Sequence, residues 1–180
     1  MDLREADAVA ARAHEGQFDK IGVPYIEHAR AVAAGLAAFP VPIQVAGVLH
    51  DVVEDTEETL ESLAAVGVCE TSLKVIDAVT KVPGSTRRDQ IDRVIRCGYA
   101  ALLVKVSDNA HNCLPDRLKC LDGATRERLE GKYREARRSM WPYLDAGDIR
   151  TILEVVNPSL LPELKAHRGD QSGGVSWTEG

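Results

Sequence analysis

Aromatic residues are scarce in this chain: two Trp, two Phe and four Tyr, 4% of 180 residues. A core with so few large rings has to be filled by Ala, Val, Leu and Ile. The hydrophobic share of 44% is nonetheless that of a globular chain, which excludes general disorder and suits closely packed helices. Basic runs are also missing, and the formal net charge is −6. A dedicated DNA- or RNA-binding surface is therefore not expected, although a small anionic ligand needs only a local basic patch. None of the four cysteines, Cys69, Cys97, Cys113 and Cys120, forms a C-x-x-C pair, so no zinc knuckle is indicated. No segment approaches the ~18 apolar residues of a membrane span. The start, Met1-Asp2-Leu3-Arg4-Glu5, has no apolar signal region. These absences lead to the expectation of a soluble protein in a reducing, cytoplasmic compartment, with free cysteines and no membrane partner.

The pattern that is present is helical. Residues 2–15 are Ala-rich and predict a first helix, and residues 16–23 read as a loop. Pro24 suits the first turn of a second helix that carries His28 and runs to about Ala38. The apolar run from Ile43 to Val53 predicts one buried helix. Thr56 is the expected cap of the next helix, with Thr59 at its third position and Gly67 at its end. Further helices are predicted over 70–80, 87–97 and 100–112, with a loop at 81–86. A highly charged helix is predicted over 125–144, with a mainly solvated face, followed by one over 148–156 and another over 158–166. From His167 the composition turns to Gly, Ser, Asp and Gln. The expectation is an all-α domain over 1–166 and a disordered tail over 167–180.

The most informative segment is Leu49-His50-Asp51-Val52-Val53-Glu54-Asp55-Thr56. An imidazole and three carboxylates crowd the end of an apolar run. On a helix Glu54 lies one turn after His50, and Asp55 one turn after Asp51. Such a cluster repels itself unless something positive sits in it, and a divalent metal accepts imidazole nitrogen and carboxylate oxygen together. His28 upstream and Asp108 downstream complete a candidate set of two nitrogen and two oxygen ligands. A hydrolytic site with four protein ligands still needs open positions, which favours five- or six-coordinate Mn²⁺ over closed tetrahedral Zn²⁺, with another divalent metal as the alternative. Glu54 and Asp55, just past the ligands, are the candidate catalytic pair for water.

The order His28 … His50-Asp51 … Asp108 resembles the HD-domain metal-dependent phosphohydrolase superfamily. The segment from Gly16 through Lys20, Gly22, Pro24, Tyr25 and Ile26 to His28 is similar to the first motif of the RelA/SpoT-type (p)ppGpp hydrolase domain. Leu49–Thr56, Val79-Thr80-Lys81 and Val104–Asn112 resemble its later ones. The resemblance spans roughly residues 5–145. It implies an all-α HD-domain helical bundle around a single metal site, a Mn²⁺ cofactor and a small-molecule nucleotide substrate. The implied activity is a stand-alone pyrophosphohydrolase removing the 3′-diphosphate of (p)ppGpp. It also implies that Lys20, Tyr25, Lys81, Lys105, Asn112 and Tyr133 contact substrate. Lys105 shares a helix face with Asp108. His14 reads as a satisfied structural histidine, and His111 as a support behind the ligands or an exposed residue.

Two departures stand out. The family often has Arg where this chain has Asp19, and a basic residue where it has Asn109. With Asp19 expected in an exposed loop, both suggest relaxed base recognition. They keep open another nucleotide as substrate, such as an adenine alarmone, NADPH or another phosphate ester. A non-catalytic nucleotide-binding module is a further alternative, against which the intact Glu54-Asp55 pair argues.

Overall fold

The computed structural model describes residues 1–172, which fold entirely as helices and connecting turns apart from an isolated bridge between Phe18 and Pro24. In order these are α1 (Leu3–Ala13), α2 (Ile26–Gly35), α3 (Val41–Leu49), α4 (Val52–Asp55), α5 (Leu60–Ala65) and α6 (Glu70–Val79). They are followed by α7 (Arg87–Cys97), α8 (Tyr99–Asn112), α9 (Pro115–Leu118), α10 (Gly123–Met140), α11 (Ala146–Val156) and α12 (Leu161–Ser172). Short 3₁₀ turns at Trp141–Tyr143 and Pro158–Leu160 connect the last three.

Local chemistry starts and stops these helices. Asp2 with Glu5, Thr59 with Ser62 and Thr86 with Asp89 form reciprocal caps at α1, α5 and α7. Asp122 caps α10 by accepting from the Thr125 N–H. Gly98, at φ +106°, turns the chain sharply between α7 and α8, a conformation that favours glycine.

α8 is the hub. Its residues Ala101 to Val104 and Val106 to Ala110 are buried, and it packs against α2, α3, α6, α7, α10 and α11. The surrounding core is built from Ala, Val, Leu and Ile, as the shortage of aromatics requires. Small residues bring the backbones close. A Cβ on Gly35 of α2 would lie 2.4 Å from Val156 Cγ2 and 2.5 Å from Ser107 Oγ. That hydroxyl donates to the Val32 carbonyl at 2.8 Å, which ties α8 to α2 next to Asp108. Gly35→Ala is therefore expected to overpack this junction by about 1–3 kcal/mol. A thermal melt should show Tm falling by roughly 2–12 °C. An unchanged Tm would mean that the junction relaxes freely.

Several boundaries differ from the sequence expectation, the second helix ending at Gly35 among them. The helix predicted over 43–53 breaks at His50-Asp51: the His50 ring bonds the Gly47 carbonyl at 2.8 Å, the acceptor that would continue α3 to Asp51. Thr59, not Thr56, caps α5. Thr56 instead closes α4, its hydroxyl donating to the Val52 carbonyl at 2.6 Å. The charged helix predicted over 125–144 spans Gly123–Met140, and its Arg137 is buried rather than solvated. Past 166, α12 continues as helix to Ser172, with the His167 ring edge-on to Trp141. The remainder of the expected tail, 173–180, lies outside the described residues.

Candidate metal centre and substrate cavity

Three elements converge on one point. His28 comes from the first turn of α2, His50 and Asp51 from the break between α3 and α4, and Asp108 from the last turns of α8. His28 Nε2 lies 3.4 Å from Asp51 Oδ2, 3.5 Å from Asp108 Oδ1 and 3.3 Å from His50 Nε2. His50 Nε2 lies 2.9 Å from Asp51 Oδ2 and 3.9 Å from Asp108 Oδ1. Donors ~2.1 Å from a shared ion stand about 3.0 Å apart at right angles and about 3.4 Å apart at tetrahedral angles. All but one of the observed separations fall close to that spacing: His50 Nε2 to Asp108 Oδ1 is wider, and the donors mutually within reach of one ion are those of His28, His50 and Asp51.

The donor chemistry fits as well. Each histidine has its Nδ1 occupied by the protein: His50 Nδ1 donates to the Gly47 carbonyl at 2.8 Å, and His28 Nδ1 faces His111 Nδ1 at 2.7 Å. This leaves both Nε2 atoms for the centre, the usual arrangement for ligating imidazoles. Burial, together with the charge on His28, pushes the His111 pKa down to about 4. A neutral His111 can then accept from His28. The carboxylates are held too. Tyr25 donates to Asp51 Oδ2 at 2.6 Å, Lys105 donates to Asp108 Oδ2 at 2.8 Å, and Asn112 donates to Asp108 Oδ1.

Electrostatics describe the same cluster. Burial alone would lower the His28 pKa, yet bonding and charge from Asp108 and Asp51 push it up to about 9. Asp108 and Asp51 are held well below the ordinary carboxylate range despite burial, by Lys105 and His28 for the former and by His50 and His28 for the latter. Two carboxylates that draw a positive charge onto a buried imidazole present a site suited to a cation.

A cavity of about 460 Å³ opens beside the cluster. Its acidic end is formed by Asp51, Glu54, Asp55 and Asp108, and its basic lining by Lys20, Arg87, Lys105, Arg117 and Lys132. Leu118, Leu121, Leu129 and Met140 add apolar surface to the lining. Glu54 is anchored at the rim by the Lys81 backbone N–H, 2.8 Å from its Oε2; the residue is largely exposed, but partial desolvation of its carboxylate, with the charges of Asp51 and Asp55, raises its pKa. The Asp55 carbonyl accepts from Gln17 Nε2 at 2.9 Å. Lys20, Tyr25, Lys105, Asn112 and Tyr133 all line the cavity, whereas the exposed side chain of Lys81 does not. Lys81 contributes its main chain instead.

His14 is only half satisfied. Its Nδ1 bonds Gln17 Oε1 at 2.8 Å and its ring packs on Tyr25, but its buried Nε2 has no hydrogen-bond partner.

Asp19 and Asn109 play roles that the sequence did not reveal. Asp19 is not exposed: its side chain is 4% accessible, Oδ1 accepts from the Ile21 and Val23 N–H groups, and Oδ2 pairs with Arg117 at 2.6 Å. Its charge is thus neutralised, and a guanidinium is fixed in the cavity wall. Asn109 is buried between Arg137 Nη1 and the Tyr133 carbonyl, each at 3.2 Å. Arg137 in turn pairs with Glu163 at 2.6 Å. Arg117 and Arg137, each paired with a carboxylate, come from distant segments to the neighbourhood of the two altered positions.

No family model matches the chain. Among curated proteins, it is 34% identical over 139 residues to guanosine-3′,5′-bis(diphosphate) 3′-pyrophosphohydrolase MESH1 of Danio rerio, covering 71% of this chain and 76% of that protein. It is 34% identical over 125 residues to the bifunctional (p)ppGpp synthase/hydrolase SpoT of Escherichia coli, covering 61% of this chain and 17% of SpoT. To the probable GTP pyrophosphokinase of Mycobacterium leprae it is 37% identical over 121 residues, 61% of this chain and 15% of the relative. The chain therefore spans a small fraction of the length of these bacterial relatives. The structure of a metazoan ortholog of SpoT that hydrolyses ppGpp superposes with a TM-score of 0.66 at 20% identity, covering 93% of this chain and 95% of that one. The two share one all-α fold.

Proposed function

The chain belongs to the RelA/SpoT-type HD hydrolase family, and on that premise we propose that it removes the 3′-diphosphate of (p)ppGpp, giving GDP or GTP and pyrophosphate. The observation that carries this reading is the convergence of two imidazoles and two carboxylates at the acidic end of a basic-walled cavity, with Glu54 at its rim.

His28, His50, Asp51 and Asp108 would hold the divalent ion, with Mn²⁺ the best match to four protein ligands and remaining open positions. When bound, the ion supplies Lewis-acid stabilisation of phosphoryl charge and makes water more acidic. The residues of the chain do the rest. Glu54, held by Lys81, takes a proton from the water that attacks the phosphorus attached to the 3′-oxygen. The bond from that phosphorus to the 3′-oxygen breaks, and a proton goes to the departing oxygen. Tyr25, Lys105 and Asn112 keep the ligand carboxylates in place, and Asp55 lines the same cavity. Lys20 and Lys105 supply positive charge to the diphosphate. Tyr133, Arg117 and the apolar lining are the surfaces available to the nucleoside.

Purified protein with Mn²⁺ should hydrolyse ppGpp faster than its adenine counterpart, NADPH or simple 5′-nucleotides. A faster rate on one of these others would reassign the substrate. His50→Ala should lower metal affinity by at least about tenfold and reduce Tm in metal-containing buffer, because the ion binds only the folded site. Metal analysis with a parallel melt reads both. Native metal content in that variant would remove His50 from the ligand set.

A further inference from the structure

An exposed glutamate samples many rotamers unless something holds it, and a base has to be held. Among the described residues the Glu54 side chain has one hydrogen bond, from the Lys81 N–H at 2.8 Å. That N–H belongs to the peptide joining Thr80 to Lys81, where α6 ends and the exposed stretch 81–84 begins. The carbonyl of the same peptide accepts from Arg93 Nη1 at 3.0 Å. Arg93 comes from α7, and its Nη2 pairs with Asp77 Oδ2 of α6 at 2.7 Å. One guanidinium therefore grips the end of α6 at two points, a side chain and a main-chain oxygen. Thr80 is fixed from the other side, its N–H and hydroxyl donating to the Ile76 carbonyl at 2.9 and 2.8 Å.

The peptide links the two contacts. It is planar, with C=O and N–H pointing in opposite directions, so fixing the oxygen aims the N–H. A cation on the oxygen also polarises the unit and strengthens the bond that the N–H gives. Partial desolvation raises the Glu54 pKa, and the Lys81 N–H is the largest influence opposing it. An arginine that merely satisfied a helix end would act on a carbonyl with nothing behind it. Here the far side of that peptide holds the base.

We propose that Arg93 is a positioning residue for hydrolysis: by holding the Thr80–Lys81 peptide it aims the Lys81 N–H that keeps Glu54 at the cavity rim. This rests on the role given to Glu54 as the base. Arg93 is not among the residues lining the cavity, so it acts without touching substrate. Its pairing with Asp77 is solvent-accessible, at 27% and 53% for the two side chains, and adds little to stability by itself. The effect on rate should therefore exceed the effect on folding.

The test compares native protein with Arg93→Met and Arg93→Lys, each also combined with Glu54→Gln, in single-turnover reactions of metal-replete protein with ppGpp. Arg93→Met should slow the chemical step by about tenfold or more, with the half-saturating ppGpp concentration and metal content near native. Arg93→Lys, which keeps a cation and a donor, should recover much of the loss. In Glu54→Gln protein the Arg93→Met change should cost less than about twofold, because the group it positions is already disabled. Hydrogen exchange of the Lys81 amide gives a readout independent of turnover and should quicken by about tenfold in Arg93→Met. A native rate in Arg93→Met, equal losses in the two backgrounds, or native exchange at Lys81 would overturn the proposal. If exchange at Lys81 quickens in Arg93→Met while the native protein leaves ppGpp intact, the link from Arg93 to Glu54 stands and the hydrolase reading falls.

Discussion

Replacing Glu54 by Gln is expected to lower turnover by roughly 10²–10⁴ while bound metal and Tm stay near native values. The separation of effects follows from where Glu54 sits. It lies on α4, one turn beyond the ligand pair, at the rim of the cavity, with Oε2 accepting from the Lys81 N–H at 2.8 Å. Gln keeps the shape, and its amide oxygen can still accept that bond. It loses the capacity to accept a proton from water. Because the side chain is exposed, little packing is lost. Single-turnover rates with metal-replete protein, alongside metal content, separate chemistry from folding. Near-native turnover would move the general-base role to Asp55, the other cavity-lining carboxylate that follows the ligands.

The second large effect concerns stability. Asp19→Arg, a change that would restore the residue type common in the family, should destabilise this chain by about 3–5 kcal/mol. The substitution removes the carboxylate that neutralises Arg117 and sets a second guanidinium beside it. It also leaves the Ile21 and Val23 N–H groups without their acceptor, in a turn where Gly22 already adopts φ +81°. Denaturant unfolding measures the loss. A double variant, Asp19→Arg with Arg117→Asp, should recover part of it, as a coupled pair requires. The pH dependence carries the matching sign. Despite burial, the Asp19 carboxylate is held below its ordinary value by the Val23 and Ile21 N–H groups and by Arg117. Its contribution is thus complete above the unfolded value of about 3.9 and is lost as acidification passes through the folded value. Native-like stability of Asp19→Arg would show the pair to be incidental.

Much of this molecule is legible in its sequence because the relevant signals are local. Gly98 marks the turn between α7 and α8, and the apolar spacing of α8 marks the buried hub. His28, His50 and Asp51 lie within mutual reach of one another, with Asp108 3.5 Å from His28. What escaped the sequence was decided by partners far along the chain. Arg117 meets Asp19 across 98 residues, and Arg137 meets Asn109 across 28. Neither pairing leaves a trace in spacing, so Asp19 read as an exposed loop residue and Asn109 as a lost charge. The mixed charges of α10 have the look of a solvated face, yet Lys132 and Arg137 point inward. The break at His50-Asp51 was hidden for a similar reason. A histidine bonding its own helix carbonyl cannot be told from one that continues the helix until the ring has a reason to turn inward, and here that reason is the Asp51–Asp108–His28 cluster.

The central claim concerns which bond is cut. Incubating the Mn²⁺-loaded protein with ppGpp and following the phosphorus resonances by NMR tests it directly. The account predicts that GDP and pyrophosphate appear together in equal amounts, with no orthophosphate, and that neither appears with Glu54→Gln on the same timescale. Release of orthophosphate in place of pyrophosphate, loss of the 5′ phosphates, or intact ppGpp after prolonged incubation with metal-replete protein would contradict it.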